Sequence, residues 1–385
     1  AGAAGPARAA EPGEEAPGVG AAPTAPQAPA APPPAPAGPL IELYTMGQGE
    51  HMFEKFGHAA LCVAPAGRGR TRCYNYGTTD FDSVVPLFWG FLRGRSVFWV
   101  SESSRARMLA HYRDADRTIW RQVLPIEPDA ARQVAEELAR VVRGDERFYQ
   151  YHHFHDNCST RLRDILDRAT GGALSADRDA GPARPTYREI SRAGFAGQTA
   201  LLLASDLILG RRADRAPDAY QAMFLPDVLR AEVEARLGAA PELVYQRRGP
   251  PFPDDPGLGG RWVWLAFAAL VAAPVAIARW RGRRERMALA LAAAPLALLG
   301  LILWALAIVS PLPEVRWNEA LLVFVPSDIA LPLLAEAARR RYAAARAALL
   351  GVVSLLLAAG ALVQPLWLLI PIPLGVMLLA LLPRR

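Results

Sequence analysis

From Leu40 onward the chain alternates apolar and polar positions in short runs: Leu40–Tyr44, Phe56–Val63 and Arg72–Gly77. Period-two alternation bounded by Gly and Pro is the pattern of half-buried strands, so three strands are expected. The segment Ala64-Pro65-Ala66-Gly67-Arg68-Gly69-Arg70 has turn chemistry and joins the second and third into a hairpin. A turn centred between Gly67 and Arg68 sets Cys62 opposite Cys73, Ala60 opposite Asn75 and His58 opposite Gly77. Side chains alternate between faces, so His58 and Asn75 then share one face. Residues 128–143 repeat apolar positions at helical spacing behind Glu127-Pro128-Asp129. A further helix is expected from Asn157 or Cys158, with Cys158, Leu162, Ile165, Leu166 and Ala169 as its stripe and Gly171-Gly172 as its stop. Pro86–Trp99 reads as strand and loop, its aromatics filling the core or, in a second reading, lining a lipid-facing groove. Tyr187–Leu237 is less regular, with a helical piece ending at Gly210.

Past Gly257-Leu258-Gly259-Gly260 the pattern becomes that of membrane helices. The runs 262–280, 287–309, 320–338, 343–363 and 366–382 each approach the length that spans a bilayer, giving five candidate spans. Pro326, Asp328 and Pro332 interrupt the third. Asp328 is a functional candidate if it lies at membrane depth, because an ionisable group there is costly. Arg279, Arg281, Arg283, Arg284 and Arg286 follow the first run, Arg339, Arg340, Arg341 and Arg346 the third, and Arg384-Arg385 the fifth. The positive-inside rule makes those ends cytoplasmic and everything before Arg261 extracytoplasmic. That orientation requires export of the first domain, hence a signal peptide already removed from a chain that begins at Ala1.

Composition changes this picture at three points. Residues 1–38, almost wholly Ala, Pro and Gly, bury too little apolar surface to fold and are expected to form a disordered tether. Three domains follow: that tether, a catalytic domain over 39–260 and a transmembrane domain over 261–385. The net charge of +6 and pI near 9.5 do not signal nucleic acid. Lys55 is the only lysine, and the densest Arg clusters flank apolar runs rather than interleaving with exposed aromatics. Three cysteines are too few for a disulfide scaffold. Cys62 and Cys73 form either a disulfide or two buried thiols, and Cys158 is left over.

A cysteine at a helix N-terminus faces unsatisfied backbone N–H groups and the positive end of the helix dipole, which favour its thiolate. Cys158 is therefore a candidate nucleophile, though a lone cysteine is also a common small core residue. His58, standing on a strand behind Gly57, is the candidate base, and Asn75 on the same face can hold the far ring nitrogen. His155 and Asp156 either cap the helix or line the site, and with Asn157, Arg161 and Tyr76 they are the candidate substrate-binding residues. His152, His153, His155, Asp156 and Cys158 carry metal-ligand chemistry at close spacing, but without a second ligand pair. No metal and no cofactor is expected. His51 is read as a surface histidine.

The order Phe56-Gly57-His58-Ala59-Ala60-Leu61, Tyr74-Asn75-Tyr76-Gly77, Asp156-Asn157-Cys158-Ser159-Thr160-Arg161-Leu162-Arg163-Asp164, Asp206-Leu207-Ile208-Leu209-Gly210 and Phe224-Leu225-Pro226-Asp227 resembles the Lnb N-terminal periplasmic domain family, over roughly residues 40–250. The order of His strand before Asn-Cys helix is also similar to the lecithin:retinol acyltransferase group. The resemblance implies an α+β, permuted papain-like extracytoplasmic domain ahead of a helical transmembrane bundle. It also implies a lipoprotein N-acyltransferase of the bacterial inner membrane with its catalytic domain in the periplasm. The implied partners are a phospholipid acyl donor, a diacylated lipoprotein acceptor and the membrane. On this reading Cys158 is the nucleophile, His58 the base, and backbone N–H groups near Cys158 stabilise the oxyanion. A membrane-anchored cysteine hydrolase (phospholipase or amidase) and a non-enzymatic envelope assembly protein are the alternatives.

Overall fold

The computed structural model describes residues 38–80, 84–179 and 183–382. The expected tether and the terminal Arg384-Arg385 pair lie outside the described residues. The elements run β1 (Leu40–Met46), β2 (His58–Ala64), β3 (Arg72–Thr78), α1 (Val84–Leu92), β4 (Val97–Ser104), α2 (Arg105–Asp114), β5 (Ile119–Val123), α3 (Pro128–Arg143) and β6 (Phe148–Gln150). They continue with α4 (Cys158–Ala169), α5 (Tyr187–Gly194), α6 (Thr199–Ile208), α7 (Ala219–Ala222), α8 (Pro226–Leu237) and β7 (Glu242–Tyr245). The helical region holds α9 (Trp262–Trp280), α10 (Glu285–Val309), α11 (Pro313–Arg316), α12 (Glu336–Ala358) and α13 (Pro371–Leu381).

The strands form one antiparallel sheet in the order β6-β4-β3-β2-β1-β5-β7. This is a mixed α/β architecture followed by apolar helices. Strand β1 lies inside the sheet between β2 and β5 and is buried along almost its whole length. Glu42 on it sits among the Arg105 and Arg121 guanidinium groups and the Tyr44 hydroxyl, so a buried carboxylate is paired rather than stranded. In the hairpin Cys62 faces Cys73, and the two are joined as a disulfide. By the chain-entropy model, closing a loop this short contributes about 2.5–3 kcal/mol. One sheet face packs on α3, α4 and α8 through Leu43, Leu61, Tyr74, Leu138, Leu162, Leu166 and Leu229. The other carries Tyr44, Met46, Ala60, Cys62 and Cys73 against Met108 of α2.

Two regions depart from the expectation. Residues 84–92 are helical, not strand and loop, because the aromatic run ends against the turn Arg93-Gly94 before β4 begins. Among the described residues three helices, α9, α10 and α12, are long and apolar enough to cross a membrane, not five. The run 320–338 is not one helix, and only its last three residues are helical, as the start of α12. Pro326, Asp328 and Pro332 break it into the 3-10 turns Glu319–Leu322 and Pro326–Ala330, which pack on α10 at Gly300. The last run contains the 3-10 turn Leu366–Leu368 and the eleven-residue α13.

Irregular backbone at membrane depth is tolerated where it is buried in protein and its polar groups are satisfied. Here Arg346 of α12 supplies both conditions. Its Nε donates to Asp328 Oδ1 at 2.9 Å, while Nη2 donates to Asp328 Oδ2 at 3.1 Å and to the Val323 carbonyl at 2.8 Å. Tyr342 adds a hydroxyl donor at 2.7 Å to Asp328, which is 0% exposed. Arg346 is therefore a buried partner inside a helix, not a member of a cytoplasmic Arg loop, and the charge of Asp328 has a structural explanation. Arg339 is likewise buried, 3.4 Å from Glu285.

Candidate functional site

The chain reaches β2 through Gly57, whose φ of +80° and close approach to the Met46 carbonyl exclude other residues. His58 opens the strand directly afterwards. Asn157 has extended backbone and caps α4: its side chain accepts from Thr160 N at 2.9 Å, and its own N–H donates to Thr160 Oγ1 at 2.8 Å. The Asn157 amide nitrogen donates to the His153 and Phe224 carbonyls at 2.7 and 2.9 Å. Asn157 is thus spent on building the helix start and has no group free for substrate, contrary to its place among the candidate binding residues. Cys158 is the first residue of α4, and it is a free, partly exposed cysteine.

The two arms meet at Gly77. The β2–β3 ladder ends at Leu61–Tyr74, the β3–β4 register shifts between Asn75 and Thr78, and Gly77 takes φ +92° in the gap. The point where a Gly77 side chain would begin lies 3.6 Å from Cys158 Cβ, 3.9 Å from the Tyr149 hydroxyl and 4.0 Å from His58 Cε1. Absence of that side chain leaves one space bordered by a thiol, an imidazole and a phenol.

The electrostatics are those of neutral groups. Burial pushes the Cys158 thiol up, outweighing the Ala59 and Ser159 backbone N–H groups that donate to its sulphur and the distant Arg117 charge. The helix N-terminus does not make a resting thiolate here, because desolvation wins. Burial, with the Arg117 charge next, lowers His58 to about 3, opposed by its hydrogen bond to Asn75. The orphan ring nitrogen is Nε2, so the Asn75 bond falls on Nδ1. Asn75 thus favours the protonated ring, and Nε2 has no partner among the protein groups. Tyr112 of α2 stacks on the His58 ring at 5.8 Å.

The remaining candidates sit around this centre without forming one binding surface. Tyr76 is buried in the core beside Tyr149, with ring centroids 6.1 Å apart. Arg161 pairs with Asp156, Nη2 donating to Oδ2 at 2.6 Å, and lies 4.6 Å over the Tyr149 ring. His155 is exposed and lies 3.1 Å from Glu314 of α11, with His152 at 3.4 Å from the other carboxylate oxygen. Those three are the metal-ligand-type cluster among the described residues; Cys158, Asp156 and His153 are not part of it. His152 Nδ1 accepts from the Phe154 N–H at 3.2 Å, so the neutral ring carries its proton on Nε2, towards Glu314. A metal-bound imidazole uses the opposite arrangement. Glu314, held well below the ordinary carboxylate range by the two imidazoles despite its burial, is therefore better matched to N–H donors than to a shared cation. His51 is exposed and begins a short 3-10 turn.

Beside Gly57 opens a cleft of about 1250 Å³, lined among others by Phe56, Trp120, Arg230 and Phe252 and reaching Pro365. Neither Cys158 nor His58 lines it.

His153 is also lowered to about 3, by burial first and His152 second. Both histidines are neutral when folded and would take up protons near 6.5 once unfolded. Their contribution to stability is complete above 6.5 and is lost as the pH falls from there towards 3. Melting temperatures of the full chain in detergent should drop as the pH goes from 7 to 4.5, and His153→Gln should flatten the slope. A profile level between pH 6.5 and 5 would contradict the assignment.

Residues 39–193 match the Lnb N-terminal periplasmic domain family. Searches of curated proteins and of solved structures give no match. The matched stretch runs from β1 into α5 and contains Gly57, His58, Asn75, Gly77 and Cys158. With the three apolar helices it describes a membrane protein with a periplasmic domain. Sequence reasoning did not reach Tyr149, Tyr112 or Glu314. The signal for Tyr149 was its alternation with Tyr151 just before the Asn-Cys pair. Nothing local in the sequence points from residue 155 to residue 314.

Proposed function

We propose that this protein is a cysteine-dependent lipoprotein N-acyltransferase, which moves an acyl chain from a membrane phospholipid to the α-amino group of a diacylglyceryl-cysteine. The observation that carries the reading is the meeting of Cys158 with the His58–Asn75 pair at Gly77, next to helices able to hold the site at a bilayer. The helix bearing a cysteine and packed on an antiparallel sheet bearing the histidine is also the arrangement expected of a permuted papain-like domain. Residues 39–193 supply the family context, and the inner membrane is the compartment that fits both lipid substrates.

In the first half-reaction the Cys158 sulphur attacks an ester carbonyl while His58 Nε2 takes the thiol proton. The C–S bond forms, the bond between the acyl carbon and the glycerol oxygen breaks, and His58 returns the proton to the lysophospholipid alkoxide. In the second, the lipoprotein amine attacks the thioester, His58 takes a proton from the amine, and Cys158 leaves and is reprotonated. Two steps at one sulphur let donor and acceptor use the site in turn. Phospholipid vesicles with a synthetic diacylated lipopeptide and the full chain should yield N-acylated peptide and lysophospholipid in equal amounts. Release of free fatty acid whether or not the peptide is present would replace the transferase by a hydrolase. No turnover and no acyl adduct would leave a non-enzymatic role.

A further inference from the structure

We propose that the Tyr149 hydroxyl is the oxyanion donor of the Cys158 site, an inference that rests on the acyl-transfer reading above. Tyr149 is 7% exposed, and its hydroxyl is buried without a hydrogen-bond partner. A buried phenol normally finds one, because leaving it unpaired costs about 1–3 kcal/mol. The ring is fixed by its β6 position opposite Phe98 and by the neighbouring Tyr76 and Arg161. The hydroxyl therefore points by construction at the Gly77 space, 3.9 Å from the point that is 3.6 Å from Cys158 Cβ. Of the N–H groups in the first turn of α4, that of Thr160 is taken by the Asn157 side chain.

When the C–S bond forms, the carbonyl π pair moves onto oxygen, and the Tyr149 O–H donates to that oxygen without giving up its proton. Collapse restores the C=O and expels the alkoxide, to which His58 gives the proton. Burial raises the phenol above its ordinary value, which keeps it a donor through both steps. The lone hydroxyl then has its partner only while the tetrahedral intermediate exists, which is the condition for raising the rate rather than the affinity.

The test is Tyr149→Phe in the full chain. Two rates are read: acyl-adduct formation on Cys158 from phosphatidylethanolamine–phosphatidylglycerol vesicles by intact mass, and Cys158 alkylation by iodoacetamide, which forms no oxyanion. Acylation should fall about 10²-fold or more, with kcat lowered and KM little changed, while alkylation stays within about twofold. Because the variant deletes an unpaired group, its melting temperature should match or exceed that of the native chain. Unchanged acylation overturns the proposal, and so does a parallel fall in alkylation, which would make Tyr149 a packing residue. A native chain that forms no acyl adduct while alkylating normally would instead overturn the acyl-transfer reading itself.

Discussion

Cys158→Ala is expected to abolish acyl-adduct formation, and His58→Gln to slow it by about 10²–10⁴-fold with the thiol still present. The second effect follows from the charge state of the pair. A thiolate stored at rest would need little help from a base. Burial holds Cys158 as a thiol and His58 as a neutral imidazole lowered to about 3, so the proton must move during attack. The pH profile carries the same information. Free histidine would give kcat/KM an acid limb near 6.5, whereas here His58 is already neutral at pH 5.5 and the rate should change little from there to 8. Pre-steady-state mass spectrometry over that range checks it; a limb near 6.5 would mean that the imidazole is solvated and that the pair works differently. Asn75→Ala should produce an intermediate loss, since it frees the tautomer without removing the base.

Arg346→Met is expected to destabilise the helical region by about 3–5 kcal/mol, because it leaves the fully buried Asp328 carboxylate without its cationic partner. The variant also leaves the Val323 carbonyl without its donor, at a turn where the backbone cannot satisfy itself. Asp328→Leu combined with Arg346→Met should recover most of the loss, as replacing a buried pair by apolar side chains is commonly near neutral. Thermal unfolding in detergent separates these outcomes. Equal stability of the native chain and Arg346→Met would mean that the ion pair is solvated and that 319–335 is held by packing alone.

Much of the site was legible because it depends on local pattern. The hairpin turn alone set Cys62 against Cys73, though the ladder ends at Leu61–Tyr74, short of the expected Ala60–Asn75 and His58–Gly77 pairs. The Pro128 start and the last polar residue before the Cys158 stripe placed α3 at 128–143 and the start of α4 to within one residue. What stayed hidden is non-local. Hydropathy counts apolar residues and takes no account of a carboxylate paired eighteen residues away, so the run 320–338 looked like a span until Arg346 explained its turns. The aromatics of α1 have strand propensity, yet the segment is a helix that closes in the Arg93-Gly94 turn. The Tyr149 hydroxyl is informative only through what it lacks, and a missing partner cannot be seen along a chain. Cys158 itself was legible, but its protonation was not, because the helix dipole can be read from sequence and desolvation cannot.

The boundary at residue 260, clear in hydropathy, is not a boundary in energy. The Asn318 amide donates to the Leu207 and Ile208 carbonyls at 2.8 and 3.1 Å, Gln364 to the Leu209 carbonyl at 2.8 Å, and the Arg211 N–H to the Trp317 carbonyl at 2.8 Å. Glu314 meets the two histidines of the loop that leads into Cys158. Severing the chain at 260 would leave that loop and the end of α6 with a row of unpaired acceptors and donors. The apolar helices are then part of the folding unit of the cysteine, and any displacement of α11 is felt at the loop that positions it.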